Sequence, residues 1–323
     1  MTAPLASIVV PTRGGSARLP RLFAALRAQT EPAWEAIVVV DGDIDGSAAV
    51  IAEAAADLPV RALVLPENRG RSAALNAGFA DARGGILIRC DDDLRPGPEY
   101  VAAHVARHAE GVCGVIGLYR NVYPDTAYAR AYGRERDGRF RADAYAAPAE
   151  SAWRYWAGNV SVARETYDRI GDYDTAFRAY GWEDVDWGYR LHQSGIGIVL
   201  APELETPHHV AATTTEVRVT RAFLAGAAKR AFDAKHGLAP SDLARSDPAS
   251  GGSASTAPAG VWNRLVHRTA ARHGLAELQR RARTADRVVA RSPRWLAEKH
   301  VAWLVESAGL SGALHPDEVT AHV

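Results

Sequence analysis

Cysteine is nearly absent: 323 residues hold only Cys90 and Cys113. That excludes a disulfide scaffold and a multi-cysteine zinc site, and it fits a reducing compartment. Net charge is absent too, because 38 Lys and Arg balance 38 Asp and Glu. So balanced a chain is not a general binder of nucleic acid or other polyanions. No uninterrupted apolar run reaches the ~18 residues a membrane span needs, and MTAPLASIVVPTR has no basic leader followed by a long apolar core. The expectation is a cytoplasmic protein with no nucleic-acid partner and no transmembrane segment. The hydrophobic share, 47%, is that of an ordinary globular chain and excludes wholesale disorder.

What the first 110 residues do contain is alternation. Ser7–Val10, Ala36–Val40, Arg61–Leu65 and Ile86–Ile88 are short β-branched runs that read as strands. Between them, Leu19–Gln29, Ser47–Ala56 and Ser72–Ala82 carry apolar residues at helical spacing, with Ser47 and Ser72 as expected N-caps. Strands apolar on both faces and alternating with helices form a parallel sheet covered on both sides. Ligands of such sheets bind beyond the carboxyl ends of the strands. Asp41 follows the second run and Asp91-Asp92-Asp93 the fourth, both in that place. Farther on, Cys113–Leu118 and Ile196–Leu200 read as strands, Arg130–Ala149 as an aperiodic loop over the site, and Thr213–His236 as a helix.

Fifteen of the twenty residues in Ser241–Gly260 are Ser, Ala, Gly or Pro, the composition of a flexible linker. Val261–Arg291 then places Trp262, Leu265, Val266, Leu275, Leu278, Ala282, Ala285 and Val289 at helical spacing, divided at Gly274. Eight arginines there face only Glu277 and Asp286. A last helix is expected near Trp295–Ala308. Packing against the rest of the chain or a second copy (a homodimer), acceptor recognition, and peripheral attachment to an anionic membrane all stay open for this segment.

Three clusters bear chemistry. Adjacent carboxylates repel, so Asp91-Asp92-Asp93 calls for a cation or hydrogen-bond donors, unless it is a solvated acidic turn. Mg²⁺ and Mn²⁺ take oxygen ligands, commonly one or two carboxylates with substrate phosphates. In Gly181-Trp182-Glu183-Asp184 an aromatic residue precedes a carboxylate pair at a helix start. There Asp184 offers a base and Trp182 a stacking face, while a purely structural role would complement the helix dipole. Thr206-Pro207-His208-His209-Val210 adds ring nitrogens that would bias a carboxylate site toward Mn²⁺.

In order, these pieces resemble the family 2 glycosyltransferases with their GT-A fold, over about Ser7–Val210. The resemblance rests on Ser7-Ile8-Val9-Val10-Pro11-Thr12-Arg13, Gln29-Thr30, Val38-Val39-Val40-Asp41-Gly42, Asn68-Arg69-Gly70, Asn76-Ala77-Gly78, Asp91-Asp92-Asp93 at the D-x-D position, Ala157-Gly158-Asn159, and Gly171-Asp172-Tyr173-Asp174 leading to Gly181-Trp182-Glu183-Asp184. Two departures stand out: Arg13-Gly14-Gly15-Ser16 replaces the usual Tyr/Arg-Asn-Arg, and the triple aspartate leaves open which pair forms D-x-D. The Trp-Glu-Asp-Val-Asp and His-Val elements are similar to polypeptide GalNAc-transferases and chondroitin-type polymerases.

The resemblance implies an α/β protein of GT-A fold: a mainly parallel nucleotide-binding sheet flanked by helices over 1–237, a linker at 238–260 and a helical C-terminal extension over 261–323. It implies an inverting, metal-dependent glycosyltransferase that moves a sugar from a nucleotide donor, UDP-linked by preference, to an acceptor hydroxyl. Asp184 would be the general base. Pro11, Thr12, Arg13, Asp41, Asn68, Arg69, Asn76, Asp91 and Asp92 would bind the donor, and Gly158, Asn159, Trp182 and Glu183 the acceptor. Asp93, Asp91 and His209 would hold a divalent ion, Mn²⁺ before Mg²⁺. The alternatives are a nucleotidyltransferase, for which Gly14-Gly15 with Arg18 is a thin match, and a nucleotide-sugar-binding protein without turnover.

Overall fold

The computed structural model describes residues 6–177, 181–238 and 260–321. The expected linker lies outside them apart from its end residues. In chain order the elements are β1 (Ala6–Thr12), α1 (Leu19–Arg27), β2 (Trp34–Asp41), α2 (Ser47–Ala54), β3 (Val60–Leu65), α3 (Arg71–Asp81), β4 (Ile86–Cys90), α4 (Tyr100–Ala109), β5 (Gly114–Ile116), β6 (Tyr119–Asn121), α5 (Arg134–Ala146), β7 (Asn159–Ala163), α6 (Arg164–Ile170), α7 (Trp182–Gln193), β8 (Ile198–Leu200), β9 (Thr206–His208), α8 (Thr215–His236), α9 (Val261–Arg272), α10 (Leu275–Val289) and α11 (Arg294–Leu314). They divide into two compact units. The first comprises residues 6–120, 147–177 and 183–210; the second, 121–146, 181–182, 211–238 and 260–321.

The first unit is built on a seven-stranded sheet of order β3-β2-β1-β4-β7-β5-β8. Strands β3, β2, β1 and β4 run parallel, and β7 is antiparallel to both β4 and β5. Every residue of β2 is buried, as a central strand covered on both faces requires, whereas edge strand β3 is buried only at its ends and alternates half-buried with exposed positions between them. Helix α1 buries Leu19, Leu22, Phe23 and Leu26, one stripe at three- and four-residue spacing. Each such side chain contributes about 1.5–3 kcal/mol. Gly78 lets α3 lie close on the sheet, since a Cβ there would stand 2.4 Å from Val9 Cγ1. The order of strands reverses at β1, so the crevice between the ends of β1 and β4 is the ligand position of this topology. The fold is the expected one, with the mainly parallel sheet and the C-terminal helices both present.

Some local expectations are corrected. The N-caps of α2 and α3 are Gly46 and Gly70, not Ser47 and Ser72. Asp43 reaches forward to cap α2, its carboxylate accepting from the amides of Gly46, Ser47 and Ala48. The Ser47 hydroxyl instead donates to Asp45 and accepts from Gly15 N. Arg130–Ala149 is mostly helical rather than a loop: a π-helical turn, Ala129–Gly133, leads into α5. That helix has no apolar stripe to betray it. Same-face pairs Glu135–Arg139 and Asp137–Arg141 support it instead.

In the second unit α8, α10 and α11 share a core that includes Val219, Phe223, Leu275, Leu278, Ala282, Ala285, Val289, Val301, Leu304 and Ala308. Segments 121–146 and 211–237, read from sequence as part of the catalytic domain, belong to this unit. The stripe foreseen on α10 is buried here, so a membrane would meet the arginine face of that helix. Among the described residues no helix is long and apolar enough to cross a membrane.

Candidate active site

The carboxyl ends of β1, β2 and β4 gather the expected donor-side residues. The turn that follows β4 sends the three consecutive aspartates to different partners. Asp92 turns to the start of α1: its Oδ2 accepts from the Thr12 hydroxyl at 2.5 Å and from Arg18 Nη2 at 2.7 Å, its Oδ1 from Arg18 Nε at 3.0 Å. Burial raises its pKa, against which Arg18 and Thr12 act. Asp92 and Thr12 thus tie β4 to β1, and Arg18 is committed to that tie instead of gripping phosphate in a nucleotidyltransferase-type loop.

Asp91 turns the other way. Arg89 Nε donates to its Oδ1 at 3.1 Å and the Tyr119 hydroxyl to its Oδ2 at 3.3 Å. Burial opposes its charge, but Arg89 and Arg71 outweigh that and hold the carboxylate below its ordinary pKa. Gly158 makes the cradle: its amide donates to the Tyr119 oxygen at 2.6 Å, and its carbonyl accepts from Asp91 N at 2.9 Å. A Cβ on Gly158 would stand 2.1 Å from Asp91 Oδ2.

Asp93 faces β9. His208 Nε2 lies 3.1 Å from its Oδ2, and the ring of His208 stacks on Tyr119 at 4.9 Å. His209 was preferred from sequence, but the ring that pairs with the Asp93 carboxylate is that of His208; the His209 backbone amide donates to the Asp93 carbonyl. Asp93 Oδ1 and His209 Nε2 are buried without a hydrogen-bond partner, and burial together with Arg95 lowers the pKa of His209. Among the described residues no three His, Cys, Asp or Glu side chains form a complete cation cage. A half-built site is nevertheless what Mg²⁺ or Mn²⁺ uses when substrate phosphates supply the remaining oxygens. The open Oδ1 of Asp93 beside His208 fits that donor set, and Asp91, with both oxygens engaged, fits it less well.

At the end of β2 the Asp41 carboxylate accepts from the amides of Arg69 and Gly70, at 2.6 and 2.9 Å, and its carbonyl from Arg13 at 2.7 Å. Asn68 Oδ1 accepts from Gly70 N at 3.1 Å. The turn before α3 is thereby fixed beside Pro11, Thr12 and Arg13. Each Asp41 oxygen keeps a second lone pair for a ligand. Asn76 is not brought to this turn. Its side chain donates to the carbonyl and accepts from the amide of Tyr173, a double clamp at 2.8 and 2.9 Å.

On the acceptor side α7 starts at Trp182, as the sequence suggested. Asp184 is buried and ion-paired with Arg89 Nη1. Burial raises its pKa to about 7; Arg89 opposes the rise and Glu183 adds to it. Glu183 is 3% exposed and paired with Arg71 at 3.2 Å. Two expected acceptor contacts are spent on packing. Trp182 is buried against Phe232, with Lys229 over its ring, and Asn159 is enclosed by His104, Leu204 and Thr206. Trp156 is core, stacked on Trp187. Sequence reading missed Arg89, Tyr119 and Tyr173. The one available signal was an arginine inside the buried run Ile86–Cys90.

A family model described as glycosyl transferase family 2 matches residues 7–179. An undecaprenyl-phosphate 4-deoxy-4-formamido-L-arabinose transferase from Pseudomonas fluorescens is 33% identical over 185 residues, which are 56% of this chain and 48% of that protein. The chain spans about half the length of the curated relatives it matches. A mannosyltransferase from Pyrobaculum calidifontis, solved with GDP-Man and Mn²⁺, has a similar structure at 18% identity and TM-score 0.61, over 96% of this chain and 88% of that one. GalNAc-T7, solved with UDP, GalNAc and Mn²⁺, is similar at 15% identity and TM-score 0.53, over 65% and 44%.

Proposed function

The chain belongs to glycosyl transferase family 2, and we propose that it is an inverting, metal-assisted enzyme that moves a sugar from a nucleoside-diphosphate donor to an acceptor hydroxyl. One observation carries this reading. The base candidate Asp184 shares a single guanidinium, Arg89, with Asp91, so the acceptor-side carboxylate stands one side chain away from the donor-side carboxylates.

In this reading the nucleoside lies against the β1 and β2 ends, where Arg13, Asp41, Asn68 and Arg69 line the turn, and Asp91 takes the ribose. Asp93 and His208 are the residues that fit a divalent cation, Mn²⁺ first. When bound with the diphosphate oxygens, the cation supplies Lewis-acid neutralisation of the leaving group. Asp184, ionised, accepts the proton of the acceptor hydroxyl as its oxygen bonds to the anomeric carbon. The bond to the diphosphate breaks, and the nucleoside diphosphate leaves with the electron pair. A single displacement of this kind inverts the anomeric centre. A base with a pKa near the working pH is matched to this task. UDP-sugars are the preferred donors, with GDP- and dTDP-sugars next.

The test is to incubate the protein with UDP-, GDP- and dTDP-sugars, Mn²⁺ and a panel of acceptors, and to assay free nucleoside diphosphate. Release from one donor class, with an inverted product, is expected. Pyrophosphate released from a nucleoside triphosphate and a sugar phosphate would favour a nucleotidyltransferase instead. The relatives' names favour a second reading, with a polyprenyl phosphate as acceptor. Such an acceptor is already anionic and needs no base, so transfer to it would survive Asp184→Asn.

A further inference from the structure

Arg89 is the least expected residue of the site. It sits on β4 with 0% of its side chain exposed, in a layer where its neighbours are Ile88 and Cys90. A cation buried this deeply is retained only with partners, and its three nitrogens have different surroundings. Nε donates to Asp91 at 3.1 Å, and Nη1 is paired with Asp184. Nη2 has no hydrogen-bond partner, and the guanidinium carbon lies 5.9 Å from the centre of the Tyr173 ring. Tyr173 therefore offers the cation its ring and, through its hydroxyl, an electrostatic partner as well.

Tyr173 is itself anchored from several sides. Asn76 clamps its backbone in both directions, Trp156 Nε1 donates to its hydroxyl at 3.2 Å, and its ring stacks with Trp187 at 5.7 Å. The path from α3 through Tyr173 to Arg89 therefore ends on two carboxylates with different tasks. A lysine could not reproduce it. One ammonium is a point charge, whereas the planar guanidinium addresses both carboxylates at once.

We propose that Arg89 is the positioning residue of the transfer step: its buried guanidinium fixes Asp184 and Asp91 in one relative placement, so that the base meets an acceptor bound opposite the donor. This rests on Asp184 being the base. Arg89 touches neither substrate; it acts through Asp184. Loss of Arg89 therefore costs turnover through Asp184 and donor affinity through Asp91, and costs no further turnover at saturating donor once the base is gone.

The experiment measures kcat and KM for the preferred nucleotide sugar, with the release assay above, in the wild type, Arg89→Met, Arg89→Lys, Asp184→Asn and the double variant Arg89→Met/Asp184→Asn. Thermal melting and far-UV circular dichroism accompany each. Expected are a fall in kcat of about 30-fold or more for Arg89→Met, a rise in donor KM from the released Asp91, and an intermediate kcat for Arg89→Lys. The double variant should be no slower than Asp184→Asn alone. Wild-type kcat in Arg89→Met overturns the proposal, as does a further loss in the double variant that multiplies the two single losses. If Arg89→Met does not fold, Arg89→Lys decides, because it keeps the buried charge and removes only the fork: wild-type kcat there overturns the proposal. Transfer that survives Asp184→Asn while Arg89→Met is slow overturns the base assignment instead, and with it the route through Asp184. A wild type inert toward every donor overturns the enzymatic reading and the proposal together.

Discussion

Replacing Asp184 by Asn separates chemistry from architecture, and the surroundings of Asp184 let both effects be estimated. The side chain is buried and paired with a fully buried Arg89. Removing one partner of a buried ion pair costs about 3–5 kcal/mol when the other charge is stranded. Arg89 is not stranded here, because Asp91 remains 3.1 Å from Nε and the Tyr173 ring stays beneath the guanidinium. Asn also keeps the volume and one acceptor oxygen. Folding already favours the neutral form of Asp184, so the loss is that of an ordinary hydrogen bond, about 0.5–1.5 kcal/mol. For a chain of this size that lowers the melting temperature by a few degrees and leaves the protein folded at 25 °C, since each kcal/mol moves Tm by roughly 2–4 °C. Turnover to a hydroxyl acceptor should fall much further, by about 10²- to 10⁴-fold, the usual contribution of a general base. Calorimetry gives the first quantity and nucleoside diphosphate release the second, with donor affinity unchanged. An Asp184→Asn protein that is folded and transfers sugar to a hydroxyl within about threefold of wild type would refute the reasoning.

Asp184 also predicts opposite pH trends for activity and stability. Its folded pKa is raised by burial to about 7, above that of the unfolded chain, so folding favours the protonated form. Its stabilising contribution is complete at acidic pH, below the unfolded value, and is lost as pH rises toward and through about 7. The ionised base appears over the same window, so kcat/KM should climb there while stability declines. Chemical denaturation from pH 5 to 8 should show that decline in the wild type and a flatter curve in Asp184→Asn. Gly158→Ala places a methyl 2.1 Å from Asp91 Oδ2 and 2.3 Å from the Tyr119 oxygen. Asp91 must swing away, and calorimetric affinity for the nucleoside diphosphate should fall at least tenfold while the circular dichroism spectrum is kept; unchanged affinity would remove Asp91 from the donor site.

Much of this was legible in the sequence because it depends on periodicity and position. β-Branched runs gave the four parallel strands to within a few residues, and carboxylates next to strand ends located the crevice. The helix start at Trp182 was legible for the same reason, since Glu183 and Asp184 complement its dipole. What stayed hidden depends on partners far apart in the chain. Arg89 reads as an interruption of an apolar strand until folding brings Asp184, 95 residues later, onto its guanidinium. Three identical aspartates give no hint that the turn after β4 sends Asp92 to Arg18, Asp91 to Arg89 and Asp93 to His208. Asn76 reads as a ligand for the donor, yet its amide matches a backbone edge at Tyr173. Helix α5 was missed because ion pairs rather than a stripe of apolar residues support it.

The central claim, a nucleotide site completed by a divalent cation at Asp93, is tested most directly by calorimetric titration of UDP, GDP and dTDP with Mn²⁺, with a chelator, and against Asp93→Ala. The account predicts that one nucleoside diphosphate binds selectively in Mn²⁺, at least tenfold more weakly with the chelator, and equally weakly in Asp93→Ala. Nucleotide binding indifferent to both the metal and the substitution, or no binding of any of the three, would contradict it.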